Sequence, residues 1–335
     1  MKSVKTTLLL ALLFALSFPV RAEVSTITVA RQHGIGYLAL MIMERDKLIE
    51  REAKALGLPD LKVEWAQYAG GNVMNDALLS GRLHFAALGN SAFFTLWSRT
   101  RGTPQEVRGV CAFGSFPFYL NTRNPNVRSI RDLTNADRIA VPAVKVSNQA
   151  LIMQIAAERE FGPGRANDLD KYTVSMSHPD ALTAFLSGRS EINGHFTWDP
   201  FHSREIAVPG VRTILDSSVV LGGPATTILI AAQRSFHEAN PKVNAAFLAA
   251  FRAATDFINR DKDAAAQIYL EITRDKNETR ASMARMISDP KGEYTVVPKG
   301  TMTFANFMKK VGLIKEVPAS WKDLYFAPIT QEAGS

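Results

Sequence analysis

Strand-like and helix-like segments alternate along most of this chain, and that rhythm restricts the fold more than any other feature. Val24 to Ala30 alternates apolar Ile27 and Val29 with threonines, as a strand does. Gly34-Ile35-Gly36 breaks the pattern, and Leu38, Met41, Ile42 and Ile49 follow at helical spacing. Leu61 to Trp65 reads as a second strand and Gly70-Gly71 as a turn. Asn75 to Leu79 reads as a short helix closed by Gly81, and His84 to Leu88 as a third strand. A second series follows: strand Arg138 to Val141, helix Ser147 to Arg159, strand Tyr172 to Met176, helix Asp180 to Leu186 ended by Gly188, and strand Ile192 to Phe196. Val211 to Leu215 and Thr227 to Ala232 add two more strands. Such alternation predicts parallel sheets covered by helices. The remainder is mostly helical. Asn240 is a good N-cap residue and Pro241 suits the first helical position. Val243, Phe247, Ala250, Phe251, Ala254, Phe257 and Ile258 then form one apolar stripe, a core face.

The two series echo each other. Asp76-Ala77-Leu78-Leu79-Ser80-Gly81-Arg82 is matched by Asp180-Ala181-Leu182 and then Leu186-Ser187-Gly188-Arg189. Each copy is a short helix, a glycine cap and a basic residue feeding a strand. A turn of small or polar groups follows each strand, Gly89-Asn90-Ser91 in one and Thr197-Trp198-Asp199 in the other. Chance likeness of two αβ units is one explanation. Two lobes of like construction facing across a cleft is the favoured one.

Residues 1 to 22 have the marks of an export signal. Lys2 and Lys5 precede an apolar run from Thr6 to Phe18 that is too short to span a bilayer, and Val20-Arg21-Ala22 places small residues where a signal peptidase reads. The mature chain is expected to begin at Glu23, with an uncleaved anchor as the alternative. In a Gram-negative source the compartment is the periplasm, which holds no free pool of ATP or NAD. Cys111 is the only cysteine, so no lipid is attached at the cleavage site and no disulfide framework forms. The net charge is +7, of which the first 22 residues supply three through Lys2, Lys5 and Arg21. The four left suit anions but are too few to argue for nucleic acid.

A search for chemistry finds little of it. The histidines His33, His84, His178, His195, His202 and His237 include no pair at zinc spacing, and no metal is expected. His33 and His195 are read at strand ends, where open α/β sheets bind ligands, and His84 as structural. No serine sits in a hydrolase elbow, Cys111 lies in an apolar run, and Asp199 has no partner carboxylate. Gly34-Ile35-Gly36 resembles a dinucleotide turn, yet Trp65-Ala66-Gln67-Tyr68 offers no acid for a ribose. No cofactor is expected. What survives is the physics of that turn, in which backbone N–H groups at a helix start approach an anion. Gly89-Asn90-Ser91 and Lys145-Val146-Ser147-Asn148-Gln149 repeat the device. Ordinary capping explains Ser91 and Ser147 singly; together, at strand ends in both halves, these turns point to a cleft.

Four stretches in order carry a resemblance. They are Arg138-Ile139-Ala140-Val141-Pro142-Ala143-Val144-Lys145-Val146-Ser147-Asn148-Gln149-Ala150 after Ser129-Ile130-Arg131-Asp132-Leu133, then Leu79-Ser80-Gly81-Arg82-Leu83-His84-Phe85, Trp198-Asp199-Pro200-Phe201, and Asn240-Pro241 opening a long helix. The chain resembles the periplasmic solute-binding proteins of ABC importers in the nitrate, sulfonate and taurine group. It departs from them at Arg82 and His84, where an acid is usual. The resemblance implies the type II periplasmic-binding-protein fold, two α/β lobes with a ligand cleft and two crossover segments near Gly114 to Asn121 and Ser217 to Gly223. Lobe 1 would hold residues 23–115 and 222–335, and lobe 2 residues 116–221.

By the same resemblance, Gln32, His33, Gly34, Asn90 and Ser91 would line one side of the cleft. Ser147, Asn148, Gln149, His195, Thr197 and Trp198 would line the other, with Ser115, Phe116, Gly222 and Gly223 at the crossings. Phe116, Phe196 and Trp198 are read as an apolar wall, with core packing the equal alternative for Phe196. The implied function is non-enzymatic capture, by hinge closure, of a small organic anion for an ABC permease and its ATPase. The protein is expected to be a monomer. Sulfonate, carboxylate and nitrate heads all fit; the aromatics favour an organic ligand, and Asp199 keeps taurine-like zwitterions open. An enzyme on the same fold acting on a pyrimidine-precursor-like substrate, and a ligand-sensing subunit for a membrane receptor, are the alternatives.

Overall fold

The computed structural model describes residues 22–335; the expected export segment, apart from Ala22, lies outside them. Ten strands form two five-stranded sheets among the described residues. The first contains β1 (Thr26–Arg31), β2 (Lys62–Gln67), β3 (Phe85–Gly89), β4 (Val107–Gly114) and β10 (Ile228–Gln233) in the order β2-β1-β3-β10-β4. The second contains β5 (Tyr119–Thr122), β6 (Ile139–Val141), β7 (Thr173–Ser175), β8 (Gly194–Thr197) and β9 (Arg212–Asp216) in the order β7-β6-β8-β5-β9.

The two sheets share one plan. In the first, β1 pairs in parallel with β2 and β3, and β10 runs antiparallel to β3 and β4. In the second, β6 pairs in parallel with β7 and β8, and β5 runs antiparallel to β8 and β9. The chain passes from the first sheet to the second between Gly114 and Tyr119 and returns between Asp216 and Ile228. The sequence echo falls on equivalent elements. Helices α3 (Gly71–Leu79) and α6 (His178–Ser187) each lead into the third parallel-type strand of their sheet, β3 and β8. Gly81 and Gly188 follow them at φ 72° and 68°, a backbone only glycine adopts without strain.

Burial follows strand position. Central β3 and β10 are apolar on both faces, whereas edge strand β2, Lys-Val-Glu-Trp-Ala-Gln, alternates exposed and half-buried residues. Between β1 and β2 lie α1 (Leu38–Arg45) and α2 (Leu48–Ala55), and α4 (Asn90–Thr100) follows β3. In the second lobe α5 (Asn148–Phe161) follows β6, α7 (Phe201–Ile206) follows β8 and α8 (Ser217–Leu221) follows β9. Helix α9 (Arg234–Ala239) then leads into α10 (Pro241–Arg260), and α11 (Lys262–Thr273), α12 (Arg280–Ile287) and α13 (Thr301–Lys310) complete the α-helices of the described residues. The expected stripe of α10 packs on the first sheet, with Phe247 stacked on Phe85 at 4.0 Å and Phe251 edge-on to Phe113 at 4.9 Å. Phe257 is only half-buried, off the main seam. No helix among the described residues is long and apolar enough to cross a membrane.

Three local expectations need correction. Strands β4 and β5 show no alternation in sequence: β4 interrupts its apolar residues with Arg108 and two glycines, and β5 is Tyr-Leu-Asn-Thr. His195 lies inside β8 and is wholly buried, whereas His84 precedes β3 and accepts the Thr28 N–H at 2.9 Å. Asn240 stands at the start of α10 but its side chain does not cap it; Asn240 Oδ1 accepts from Val24 N–H instead. The capping acceptor is Glu23, whose two carboxylate oxygens take the Lys242 and Val243 N–H groups at 2.9 and 2.8 Å. Charge and hydrogen bonding both favour an acid there. Glu23→Ala should therefore lower stability by about 1 kcal/mol, read as a fall in the thermal midpoint with an unchanged circular-dichroism spectrum.

Candidate ligand-binding cleft

In a parallel strand–helix unit the carboxyl end of the strand and the amino end of the next helix share one edge. Here the edges of the two sheets face each other across a cavity that is partly open to solvent. From the first lobe, Gln32 and His33 follow β1, Gly71 opens α3, Gly89 ends β3, Ala92 lies in the first turn of α4, and Tyr37 and Ile228 complete the wall. From the second lobe come Pro142, Ala143, Val146 and Ser147 between β6 and α5, Asn148 and Gln149 at the start of α5, His178 at the start of α6, Trp198 after β8, and Phe118 from the first crossing. Four helix starts, those of α3, α4, α5 and α6, thus border one space. None of the lining residues is Asp, Glu, Lys or Arg.

The helix starts are not equally satisfied. Ser147 Oγ accepts from Ala150 N–H at 3.2 Å, capping α5. Gly70 and Gly89 precede α3 and α4 and offer no side-chain cap. Asn148 reaches across the cleft instead: its Oδ1 accepts from Ser91 N–H at 3.3 Å, and its Nδ2 donates to the Thr227 carbonyl. One side chain of the second lobe therefore binds both the α4 start and the approach to β10. A main-chain bond from Ile35 N–H to the Asp199 carbonyl, 3.1 Å, and the Arg204 pairs with Asp275 and Glu278 also join the lobes.

Trp198 shows why the Gly34-Ile35-Gly36 turn needs its glycines. The indole of the second lobe lies directly on both, and a Cβ at either would fall inside van der Waals contact with the ring. The ring also meets Tyr37 edge-on at 5.5 Å and lies against Phe116 and Phe118 at 5.9 and 5.3 Å. It is 3% exposed, yet its Nε1 has no hydrogen-bond partner among the described residues. Such an orphaned donor costs about 1–3 kcal/mol.

Of the residues expected at the site, the cavity brings together Gln32, His33, Ser147, Asn148, Gln149 and Trp198. Gly34 faces a neighbouring space beside Pro200. Asn90 and Ser91 are buried just behind the wall, Asn90 Nδ2 donating to the Thr226 carbonyl at 2.6 Å. Ser115, Phe116 and Gly223 border a separate small space at the crossings, and Gly222 ends α8 at φ 78°. Phe196 is fully buried in the core. His195 and Thr197 lie one layer below the cavity, behind His178, with His195 Nε2 2.9 Å and Thr197 Oγ1 3.3 Å from His178 Nδ1. His178 was not singled out from the sequence. The signal was available: it opens α6 after β7 as Gly71 opens α3 after β2.

Below His195 the polar contacts continue. His195 Nδ1 lies 2.5 Å from Glu205 Oε1, and Asn121 Nδ2 donates to Glu205 Oε2 at 2.8 Å. Burial raises Glu205 to about 8 and lowers His195 to about 3; it lowers His178 too, helped by the neighbouring His195 and His33. Burial also lowers His33, whose Nδ1 is 2.8 Å from Gln67 Nε2. Near neutrality the buried pair is therefore uncharged, the carboxyl keeping the proton. Among the described residues no group of three or more His, Cys, Asp or Glu is placed to hold a metal ion.

The shared plan of two sheets, two crossings and an interlobe cavity defines the class: a type II periplasmic-binding-protein fold. The model of the NMT1-like family matches residues 21–273, and the chain belongs to that family. No curated protein sequence matches it. Among solved structures, the alkanesulfonate-binding protein SsuA from Xanthomonas axonopodis pv. citri bound to MOPS is similar at 17% identity and TM-score 0.67, over 88% of this chain and 96% of that one. The periplasmic aliphatic sulphonate binding protein SsuA from Escherichia coli aligns at 16% identity and TM-score 0.64, over 93% and 96%. The periplasmic nitrate-binding protein NrtA from Synechocystis PCC 6803 aligns at 15% identity and TM-score 0.58, over 74% and 66%.

The raised Glu205 gives a stability test. Its proton is lost at about 4.5 when unfolded and about 8 when folded, so stability falls as pH rises between those values and is level above them. Glu205→Gln removes that loss. In urea unfolding, the stability difference should grow in the variant's favour from pH 5 to pH 8 and then stay constant.

Proposed function

We propose that this protein captures a small organic anion between its lobes and delivers it to an ABC permease from the periplasm, without transforming it. The observation that carries this reading is the convergence of four helix starts on one cavity with no charged side chain in its wall. Helix N-termini present N–H donors and a positive potential, which suit a single negative head. Tyr37, Phe118 and Trp198 offer aromatic surface to an apolar remainder. A sulfonate or carboxylate on a short aliphatic or aromatic body fits both halves of that description. The sulfonate- and nitrate-binding proteins among the structural relatives agree with this ligand class.

Closure is the binding step. The Asn148 bonds and the Trp198 packing exist only when the lobes meet, so a ligand that also touches both lobes adds to them. A thermal-shift screen over sulfonates, carboxylates and nitrate tests the reading, with neutral amides and amines as controls. A true ligand at one hundred times its Kd adds about 2.7 kcal/mol. Stabilisation by no anion, or equally by the neutral controls, would sink it. Asn148→Ala deletes two interlobe hydrogen bonds and should weaken the best anion by about 10- to 100-fold with little change in the ligand-free melting point.

A further inference from the structure

Behind the cavity wall runs an unbroken row of polar contacts that anion capture alone does not require. Gln149 Nε2 lies 3.2 Å from His178 Nε2 at the cavity edge. His178 Nδ1 lies 2.9 Å from His195 Nε2, and His195 Nδ1 lies 2.5 Å from Glu205 Oε1. His195 and Glu205 are wholly buried and His178 is 7% exposed. Each imidazole is bonded through both nitrogens, and the protons can be arranged in two ways, one with the Gln149 N–H donating to His178 Nε2 and one with that amide turned away.

With Glu205 ionised, every bond points inward. His195 Nδ1–H donates to the carboxylate, His178 Nδ1–H donates to His195 Nε2, and His178 Nε2 accepts the Gln149 Nε2–H at the cavity edge. With Glu205 protonated, every bond points outward. The carboxyl O–H donates to His195 Nδ1, His195 Nε2–H donates to His178 Nδ1, and His178 Nε2–H becomes a donor at the cavity once the Gln149 N–H turns away from it. The two states differ by one proton. In passing from the second to the first, His178 Nε2–H is lost to water, the His195 Nε2 proton moves to His178 Nδ1, and the carboxyl proton moves to His195 Nδ1. The Thr197 hydroxyl, 3.3 Å from His178 Nδ1, can donate or accept and so fits both.

We propose that this row is a reversible proton relay that sets the polarity of the cavity wall, so that an anion is held together with one proton on Glu205 and released when Glu205 ionises. The proposal rests on the anion-binding reading above. An anion needs a donor at His178, which only the outward arrangement supplies; the inward one ties the Gln149 N–H to a lone pair backed by a buried negative charge. His178 faces the ligand directly, and Glu205 acts through it as a positioning residue. The groups facing Glu205 do not supply the switch themselves. His195 on β8, His178 on α6 and His202 on its own helix α7 are all held neutral by burial, and His33 faces His178 from the first lobe. Asp199, Asp216 and Asp289 lie nearer His202, which stacks on Tyr119 at 3.9 Å. Asn121 and Thr213, which complete the Glu205 surroundings from β5 and β9, do not titrate.

The test begins on the ligand-free chain labelled with 15N-histidine, whose six histidines are resolved by long-range 1H–15N correlation between pH 6 and pH 10. His178 and His195 should be protonated at Nε2 below the transition and at Nδ1 above it, inverting together with a midpoint near 8, where Glu205 titrates. In Glu205→Gln the amide can donate to His195 Nδ1, and both rings should stay in the Nε2–H form throughout. Fixed or independently titrating tautomers in the wild-type chain overturn the proposal, and that arm needs no variant to fold. Calorimetry with ethanesulfonate and benzoate as probes then reads the coupling. Above the midpoint Kd should rise about tenfold per pH unit in the wild type and stay level in Glu205→Gln. Binding with a flat pH profile in the wild type overturns the coupling and leaves the anion reading intact. Binding of neither probe at any pH counts against the anion reading, while the tautomers still decide the relay.

Discussion

Parallel strand–helix units place the positive ends of helix dipoles at the carboxyl edges of their strands, and the cleft exists because two such edges meet. No residue has to supply the site's polarity; the topology does. The starts of α3 and α4 from one lobe and of α5 and α6 from the other surround one space without a lysine or arginine. A partly buried charge gains up to about 2 kcal/mol from each such terminus. Four of them offer at most about 8 kcal/mol, near the net free energy of micromolar binding. Association itself costs at least about 4 kcal/mol. Dipoles alone therefore cannot hold a guest tightly, and the aromatic surface and lobe closure must contribute the rest.

Closure depends on contacts that cross the gap. Trp198 lies on Gly34 and Gly36, and Asn148 bonds the start of α4 and the Thr227 carbonyl. Trp198 comes from the turn after β8 and Asn148 from the first residue of α5, after β6, and both meet bare backbone of the first lobe. Bare backbone is what a closing lobe needs to reach: glycine lets the indole approach, and the uncapped α4 start leaves an N–H for Asn148. The turn that imitates a dinucleotide fingerprint is thus shaped by an aromatic ring from the opposite lobe, and a phosphate has no part in it.

The parts of this architecture legible in the sequence are those that local physics dictates. The Gly81 and Gly188 helix ends require a left-handed residue, and that requirement exposed the repeated plan of the two lobes. The Ser147 cap and the apolar stripe of α10 are likewise local. What was missed depends on partners far along the chain. Glu23 caps α10 across more than two hundred residues, so Asn240 looked like the cap. Strands β4 and β5 are buried on both faces and show no alternation. The crossing residues Ser115, Gly222 and Gly223 were placed at the site by analogy of loops, and the structure sets them beside the cavity. His178 needed one further step, extending the echo from the third strand of each sheet back to the second.

A wall of neutral donors also implies a choice among anions. The penalty for moving an ion out of water grows with the square of its charge, whereas the gain from helix dipoles grows only in proportion to it. A dianion such as hydrogen phosphate therefore loses more than it gains in a cavity lacking a formal positive charge, while a monoanion can come out ahead. A lysine in the wall would reverse that balance and admit phosphate and sulfate along with organic acids. Burying Glu205 and two imidazoles behind the wall keeps the lining neutral, and in the proposed relay it also supplies an N–H at His178. On the proposed function, the buried polar row and the lack of Asp, Glu, Lys and Arg in the cavity wall act together: dipoles and a single mobile proton would lend charge to the guest in place of a fixed ion.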